Sequence, residues 1–335
     1  MRKQPLKIGD LLKKYNLLVL LLVFVIISSV LSPNFLTIGN LLNLLQQASI
    51  PGIVAIGMTV VIIIGGIDLS VGSVAAFAGM ISAILISKGM PVVIAVLAGV
   101  LLGAALGLIT GILISKFGLP DFIATLAMME IARGAALLTT EGVPVFGLPS
   151  SFKFIGGGFI GKVSVSGIIW IILTVVFALM LKYTSFGRSL YAIGGNREAA
   201  MLSGIKTTRN YAIAYVLSAC LAAFSGVLTA SWLATGQPTA CDGMELNAIA
   251  ASVIGGASLA GGIGSVVGTF GGVFLLQIIT NIFNLVGLAS FYQQIAKGVI
   301  IIAALLLNRV IDSRDVYKRQ LFFLWMKRER RLEML

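Results

Sequence analysis

The chain has 335 residues, 58% of them hydrophobic and only 11% charged, with a net charge of +12. Soluble domains carry about 25% charged residues, so a water-facing surface cannot be built here, and the missing surface must face lipid. Histidine is absent, which removes the commonest general base and metal ligand. The basic residues sit in short segments between or beyond apolar runs rather than in a patch with interleaved aromatics, which excludes nucleic acid as a partner.

Arg2, Lys3, Lys7, Lys13 and Lys14 precede an apolar run from Leu17 to Leu31. No small-x-small cleavage site follows, so the run reads as a first transmembrane helix with a cytoplasmic N-terminus rather than a signal peptide. Apolar runs recur to residue 308, and alternating segments of a membrane barrel are missing. The fold class expected is all-α, a polytopic membrane protein of about ten transmembrane helices. They fall near 17–32, 48–66, 71–88, 91–115, 120–139, 166–182, 210–233, 247–262, 266–286 and 292–308. The domains read as 1–16, a cytoplasmic segment; 17–308, the transmembrane domain, with 183–209 as a cytoplasmic loop; and 309–335, a charged tail.

With the N-terminus inside, Lys116 and the loop 183–209 (Arg188, Arg197, Lys206, Arg209, against Glu198) also fall inside. Segments 33–47, 140–165 and the acidic 234–246 fall outside. Basic residues favour the cytoplasmic side, so both termini are expected there. From Asp312 to Leu335, 11 of 24 residues are charged. This stretch reads as a basic tail, an amphipathic surface helix around Leu321–Met326, or sequence foreign to the protein.

Gly99, Gly103, Gly107 and Gly111 stand four apart on one helix face, as do Gly264, Gly268 and Gly272. Such ridges let a second backbone approach closely, which drives packing where lipid removes the hydrophobic effect. A short echo links Ile64-Gly65-Gly66-Ile67-Asp68-Leu69 with Ile254-Gly255-Gly256-Ala257-Ser258-Leu259.

Two motifs imitate chemistry. Gly156 to Lys162 reads G-G-G-F-I-G-K, but Val163 stands where a phosphate-binding loop needs Ser or Thr for magnesium. Gly262-Ile263-Gly264 opens like a dinucleotide fingerprint, with Gly268 one residue too far. Cys220 and Cys241 lack metal-ligand spacing. No catalytic site and no metal or cofactor of its own is expected.

Four features point to function. In the loop 183–209, Asn196 is a good N-cap for a short helix Arg197–Leu202, Glu198 suits its first turn, and Gly204 can end it. Such a helix is either a docking knob for a soluble partner or a plain surface helix. Asp68, before Ser70, either caps the third helix or contacts a solute. Glu130 and Arg133, three apart, are placed to pair. Gln46, Gln47, Glu245, Asn247, Gln293 and Gln294 lie at span ends, where a polar solute would find hydrogen-bond partners. Asp68, Ser70, Gln46, Gln47, Glu245 and Asn247 form the candidate path.

Glu198-Ala199-Ala200, three residues, then Gly204 resembles the coupling loop of ABC-importer permeases. The wider chain, from about Leu31 to Leu307, is similar to their sugar branch, which includes ribose importers. The resemblance rests on Leu31-Ser32-Pro33-Asn34-Phe35, Gly66-Ile67-Asp68-Leu69-Ser70-Val71-Gly72-Ser73, Phe122-Ile123-Ala124-Thr125-Leu126, Arg133-Gly134, Ala192-Ile193-Gly194-Gly195-Asn196 and Glu245-Leu246-Asn247-Ala248-Ile249-Ala250-Ala251. Cys241 departs from it where Gly is usual, Asn247 where Asp is usual, and Glu130 where an uncharged residue is common.

The resemblance implies a multi-pass permease of the bacterial inner membrane carrying a monosaccharide. It also implies a cytoplasmic ATPase subunit that binds the ATP and Mg, a periplasmic sugar-binding protein, a second permease copy and surrounding lipid. Gly195, Asn196, Glu198, Ala199, Ala200 and Gly204 would couple to the ATPase. The rival class is an ion-coupled secondary transporter or channel, which needs membrane-buried acids; only Glu130 and Asp68 are candidates.

Overall fold

The structure is a computed structural model that describes residues 16–289, 291–296, 298, 299 and 302. The helices are α1 (Asn16–Leu31), α2 (Ile38–Ile63), α3 (Val71–Ser87), α4 (Val92–Ser115), α5 (Asp121–Leu138) and α6 (Ser150–Gly157). After two short strands, β1 (Phe159–Ile160) and β2 (Val163–Ser164), come α7 (Val165–Tyr183), α8 (Ser185–Gly195), α9 (Arg197–Leu202), α10 (Thr207–Leu233), α11 (Met244–Ile254) and α12 (Val266–Leu285). Side-chain oxygens of Thr37, Ser164, Thr184, Asn196 and Ser265 accept from backbone N–H groups in the first turns of α2, α7, α8, α9 and α12. These N–H groups have no partner inside their helix, so the caps fix where each begins.

Among the described residues, five helices are long and apolar enough to cross a membrane: α2, α4, α7, α10 and α12. α1, α3 and α11 are apolar but shorter. The expected span 48–66 is the inner part of a longer helix that starts at Ile38. Its polar beginning is accommodated because Asn40 and Asn281 exchange amide hydrogen bonds of 3.0 and 2.9 Å with α12, and Gln277 donates to Gln47 at 2.8 Å. Interhelical amide pairs serve as glue where water is absent. The expected span 247–262 is corrected: α11 has 11 residues, about 17 Å at 1.5 Å per residue, too short to cross a bilayer. Gly256, at φ +93, turns the chain away. The span expected at 292–308 lies largely outside the described residues, as do residues 1–15 and the tail 309–335. In a second unit beginning at Leu288, residues 291–296 are helical.

The first unit is organised around α10, which packs against α4, α3 and α2. The α4 glycine ridge lies on it. A methyl added at Gly103 would overlap Ala223 Cβ and stand 2.7 Å from Ala219 O; one at Gly111 would stand 2.8 Å from Ala212 Cα. The second ridge seats α12 on α11, Gly268 against Gly255 and Gly272 against Ala251. Outward, α4 shows only aliphatic groups such as Val93, Ile94, Leu97, Leu101 and Ile109, the surface that lipid requires. The G-G-G-F-I-G-K stretch is a helix end and a hairpin: Phe159 pairs with Ser164 and Ile160 with Val163 around a turn at Gly161, φ +62.

Candidate functional site

The break between α2 and α3 is the unusual piece of backbone. A glycine turn ends α2: Gly65 takes φ +89, Gly65 N donates to Ile62 O, and Gly66 N donates to Val61 O. The α11 end repeats the device, with Gly256 N to Val253 O and Ala257 N to Ser252 O. The sequence echo is therefore a repeated turn, in register at Gly65 and Gly256, one residue off the alignment read from the sequence. One position further it returns to that alignment, since Asp68 accepts from Ser70 N and Ser258 from Ala260 N.

From Ile64 to Asp68 the chain climbs along α10 without forming a helix. Tyr211 Oη donates to Ile64 O at 3.0 Å, Tyr215 Oη to Ile67 O at 3.4 Å, and Ser218 Oγ to Asp68 Oδ2 at 2.9 Å. Positions 211, 215 and 218 share one helix face. Ser218 lies about 17 Å along α10, near its middle. On the other side Ile67 N donates to Asp121 Oδ2 of α5 at 2.9 Å. Unwound backbone survives inside a membrane protein only when its polar groups are bonded to protein, and this ladder supplies those bonds.

Asp68 is 1% exposed. Its Oδ1 accepts from Ser70 N at 3.0 Å and Ser70 Oγ at 2.6 Å, while Oδ2 takes the Ser218 hydroxyl. It anchors the entry to α3 without being the N-cap residue, which is Ser70, whose own side chain makes no cap bond. Gly72, in the first turn, leaves room for the 234–245 segment: a methyl there would strike Glu245 Oε2 and lie 2.5 Å from Cys241 O. Two carboxylates thus stand at the N-terminal, positive end of α3.

The other path candidates separate. Glu245 and Asn247 are half-buried in the first turn of α11, with Asn247 Nδ2 donating to Gly243 O at 3.1 Å. Gln47 is engaged by Gln277. Gln46 lines an open cleft of about 500 Å³ with Lys153, Phe154, Ser231 and Trp232, at the far end of α10. Glu130 and Arg133 do not pair: Arg133 Nη1 donates to Pro238 O at 2.8 Å and Ala240 O at 2.9 Å, holding the loop before α11, while Glu130 is exposed.

At the opposite end of the bundle from Gln46, α8 and α9 form a projection. Asn196 Oδ1 accepts from Ala199 N at 2.9 Å, and Glu198 sits in the first turn. Gly204 (φ +84) closes the helix, with Gly204 N to Met201 O and Ile205 N to Ala200 O. Ala200 is buried at the base, whereas Met201 and Leu202 are 59% and 86% exposed, and Gly195, Glu198 and Ala199 face outward. Tyr191 Oη donates to Gly264 O at 2.8 Å; burial raises the phenol's pKa, so it stays a donor.

Sequence reasoning missed the α10 face carrying Tyr211, Tyr215, Ser218, Ser225 and Thr229. Its signal was present: polar residues at intervals of three, four and seven inside an apolar run. What the geometry offers is a break in a packed bundle, reachable from a projection at one end. That is the construction of a multi-pass membrane transport protein.

Comparison with known proteins places the chain further. It belongs to the family described as branched-chain amino acid transport system / permease component, whose model matches residues 40–305. It is thus a membrane permease, a transport subunit and not an enzyme. It is 44% identical to the ribose import permease protein RbsC of Escherichia coli (strain K12), over 87% of this chain and 92% of the relative. The protein of that name from Bacillus subtilis (strain 168) is also 44% identical, over 86% and 90%. The L-arabinose ABC transporter permease protein AraH of Azospirillum brasilense is 36% identical, over 87% and 86%. No solved structure matches the chain.

Proposed function

We propose that this chain is the membrane-crossing subunit of an ATP-driven importer for a monosaccharide, ribose or a related sugar. It works as two copies in the bacterial inner membrane, with residues 17–308 as the transmembrane domain of about ten crossings, one of them made by 234–262 as non-helical chain plus the short α11, and both termini in the cytosol. A periplasmic binding protein delivers the sugar, and a cytoplasmic ATPase holding ATP and Mg docks on Gly195–Gly204. The observation that carries this reading is the α9 projection: a capped helix with Met201 and Leu202 exposed. It stands among Lys116, Lys182, Arg188, Lys206 and Arg209 at one end of the bundle, where positive charge favours the cytosol. The likeness to ribose import permeases supports the sugar class.

The α5 surface supports a second copy. Its exposed face carries Ala127, Glu130 and Gly134 among Leu126 and Ile131, unlike the wholly aliphatic face of α4. Against an ion-coupled carrier, both oxygens of Asp68 are bonded to protein donors. ATP binding would draw the two docked loops together and tilt the spans between two states. Gly204→Arg, which places a bulky charge at φ +84, should cut sugar uptake at least tenfold in cells while leaving membrane insertion intact. Normal uptake in that strain, or in one lacking any cognate ATPase, counts against the reading.

A further inference from the structure

Three backbone segments from distant parts of the chain meet at the base of the projection. They are the end of α2, the end of α8, and the turn between α11 and α12. Gly262 N donates to Ile63 O at 2.8 Å. Gly194 lies against both: a methyl there would strike Ile63 O and stand 2.5 Å from Gly262 N. A methyl at Gly261, where φ is +85, would stand 2.8 Å from Gly194 O and 2.9 Å from Gly65 Cα. No side chain separates these segments. Two tyrosines bind the same junction from the sides: Tyr191 to Gly264 O, and Tyr211 to Ile64 O, with the Arg197 guanidinium 4.7 Å from the Tyr211 ring centre.

A side chain caught between two elements can change rotamer and absorb a displacement, whereas backbone lying on backbone moves as one body. A shift of α8 and α9 is therefore passed at once to the ends of α2 and α11. From Ile64 it runs up the ladder to Asp68. We propose that this three-way glycine contact is the joint that delivers movement of the projection to the Asp68 segment, with Gly194 as the positioning residue on which delivery depends. The inference rests on the reading of Gly195–Gly204 as the ATPase-docking segment.

A glycine outside the joint and the docking segment supplies a control. A methyl at Gly39, in the first turn of α2 and away from the projection, meets nothing within 4 Å, so it reports the cost of an added methyl alone.

The test uses the whole complex, purified through a tag on this chain and reconstituted in proteoliposomes with its binding protein. ATP hydrolysed and ribose accumulated are read together. Gly39→Ala should match the parent within twofold on both. Gly194→Ala should keep hydrolysing ATP while ribose moved per ATP falls at least tenfold. Tyr191→Phe, which adds no bulk, should lower that ratio severalfold. A Gly194→Ala ratio equal to the parent's, or equal losses at Gly194 and Gly39, overturns the joint. Should Gly194→Ala fail to assemble, Tyr191→Phe decides alone, and an unchanged ratio overturns it. Parent uptake indifferent to ATP would sink the importer reading and the joint with it. ATP-driven parent uptake with unaltered variants sinks the joint alone.

Discussion

The Ser218 hydroxyl donates to Asp68 Oδ2 across 2.9 Å, tying the middle of α10 to the point where the chain resumes as α3. With Ser70 N and Ser70 Oγ on the other oxygen, three donors converge on one carboxylate that water does not reach. Removing the acceptor strands all three. Asp68→Ala should therefore destabilise the chain by about 2–4 kcal/mol, and Ser218→Ala, which leaves the carboxylate two donors, by about 1 kcal/mol. Thermal unfolding of the two variants in detergent checks the order as well as the size.

The apolar runs made most of the bundle legible. α1, α3, α4, α5, α7, α10 and α12 fall within a few residues of where those runs lie, because in lipid a continuous apolar run has little alternative to helix. The failures have two causes. α2 extends into polar sequence because Asn281 and Gln277, more than 220 residues distant in sequence, satisfy its amides, which local pattern cannot report. α11 stops early at the Gly255-Gly256 turn, whose bonds are local but are hidden in a run that stays apolar and glycine-rich beyond it. The knob was readable because Asn196, Glu198 and Gly204 act through bonds within their own turn. The Glu130–Arg133 pairing was inferred from spacing alone. It failed because Arg133 finds two carbonyl oxygens more than 100 residues away.

Cys241 occupies a left-handed backbone conformation, φ +62. A side chain there costs roughly 1–2 kcal/mol that glycine does not incur, which accounts for the Gly that the family resemblance places at this position. Its thiol contact to Thr229, 3.6 Å, is weak. Cys241→Gly loosens the unfolded chain by about 0.4–1 kcal/mol. The net expectation is stabilisation of about 0.5–1 kcal/mol, with Cys241→Val lowering stability instead; paired melting curves distinguish them.

The glycine ridge of α4 makes a sharper contrast. Gly103 is pressed on Ala219 and Ala223, whereas a methyl at Gly134 of α5 meets nothing within 4 Å. Gly103→Ala must push α4 off α10 and should cost about 1–3 kcal/mol. Gly134→Ala gains helix propensity without a clash inside its own chain, so the separated chain in detergent should be unchanged or stabilised by up to about 1 kcal/mol. Equal melting temperatures for both variants would contradict the packing described.

Glu130 is the tenth of 18 residues in α5, at the centre of the helix, and it faces outward. A carboxylate near the bilayer centre costs about 2.5–3.5 kcal/mol on insertion scales, so lipid is a poor neighbour for it. The second copy proposed above, with a water-filled path between the two, would remove most of that penalty. Ala127 and Gly134 beside it allow helices to approach closely. With Cys220→Ser and Cys241→Gly removing the native thiols, Gly134→Cys should form a disulfide-linked dimer under mild oxidation in membranes. Leu101→Cys, on the 67%-exposed aliphatic side of α4, should form at least tenfold less. Cross-linking stronger from Leu101 than from Gly134 would move the dimer contact away from α5 and overturn the placement of Glu130 at the junction between copies.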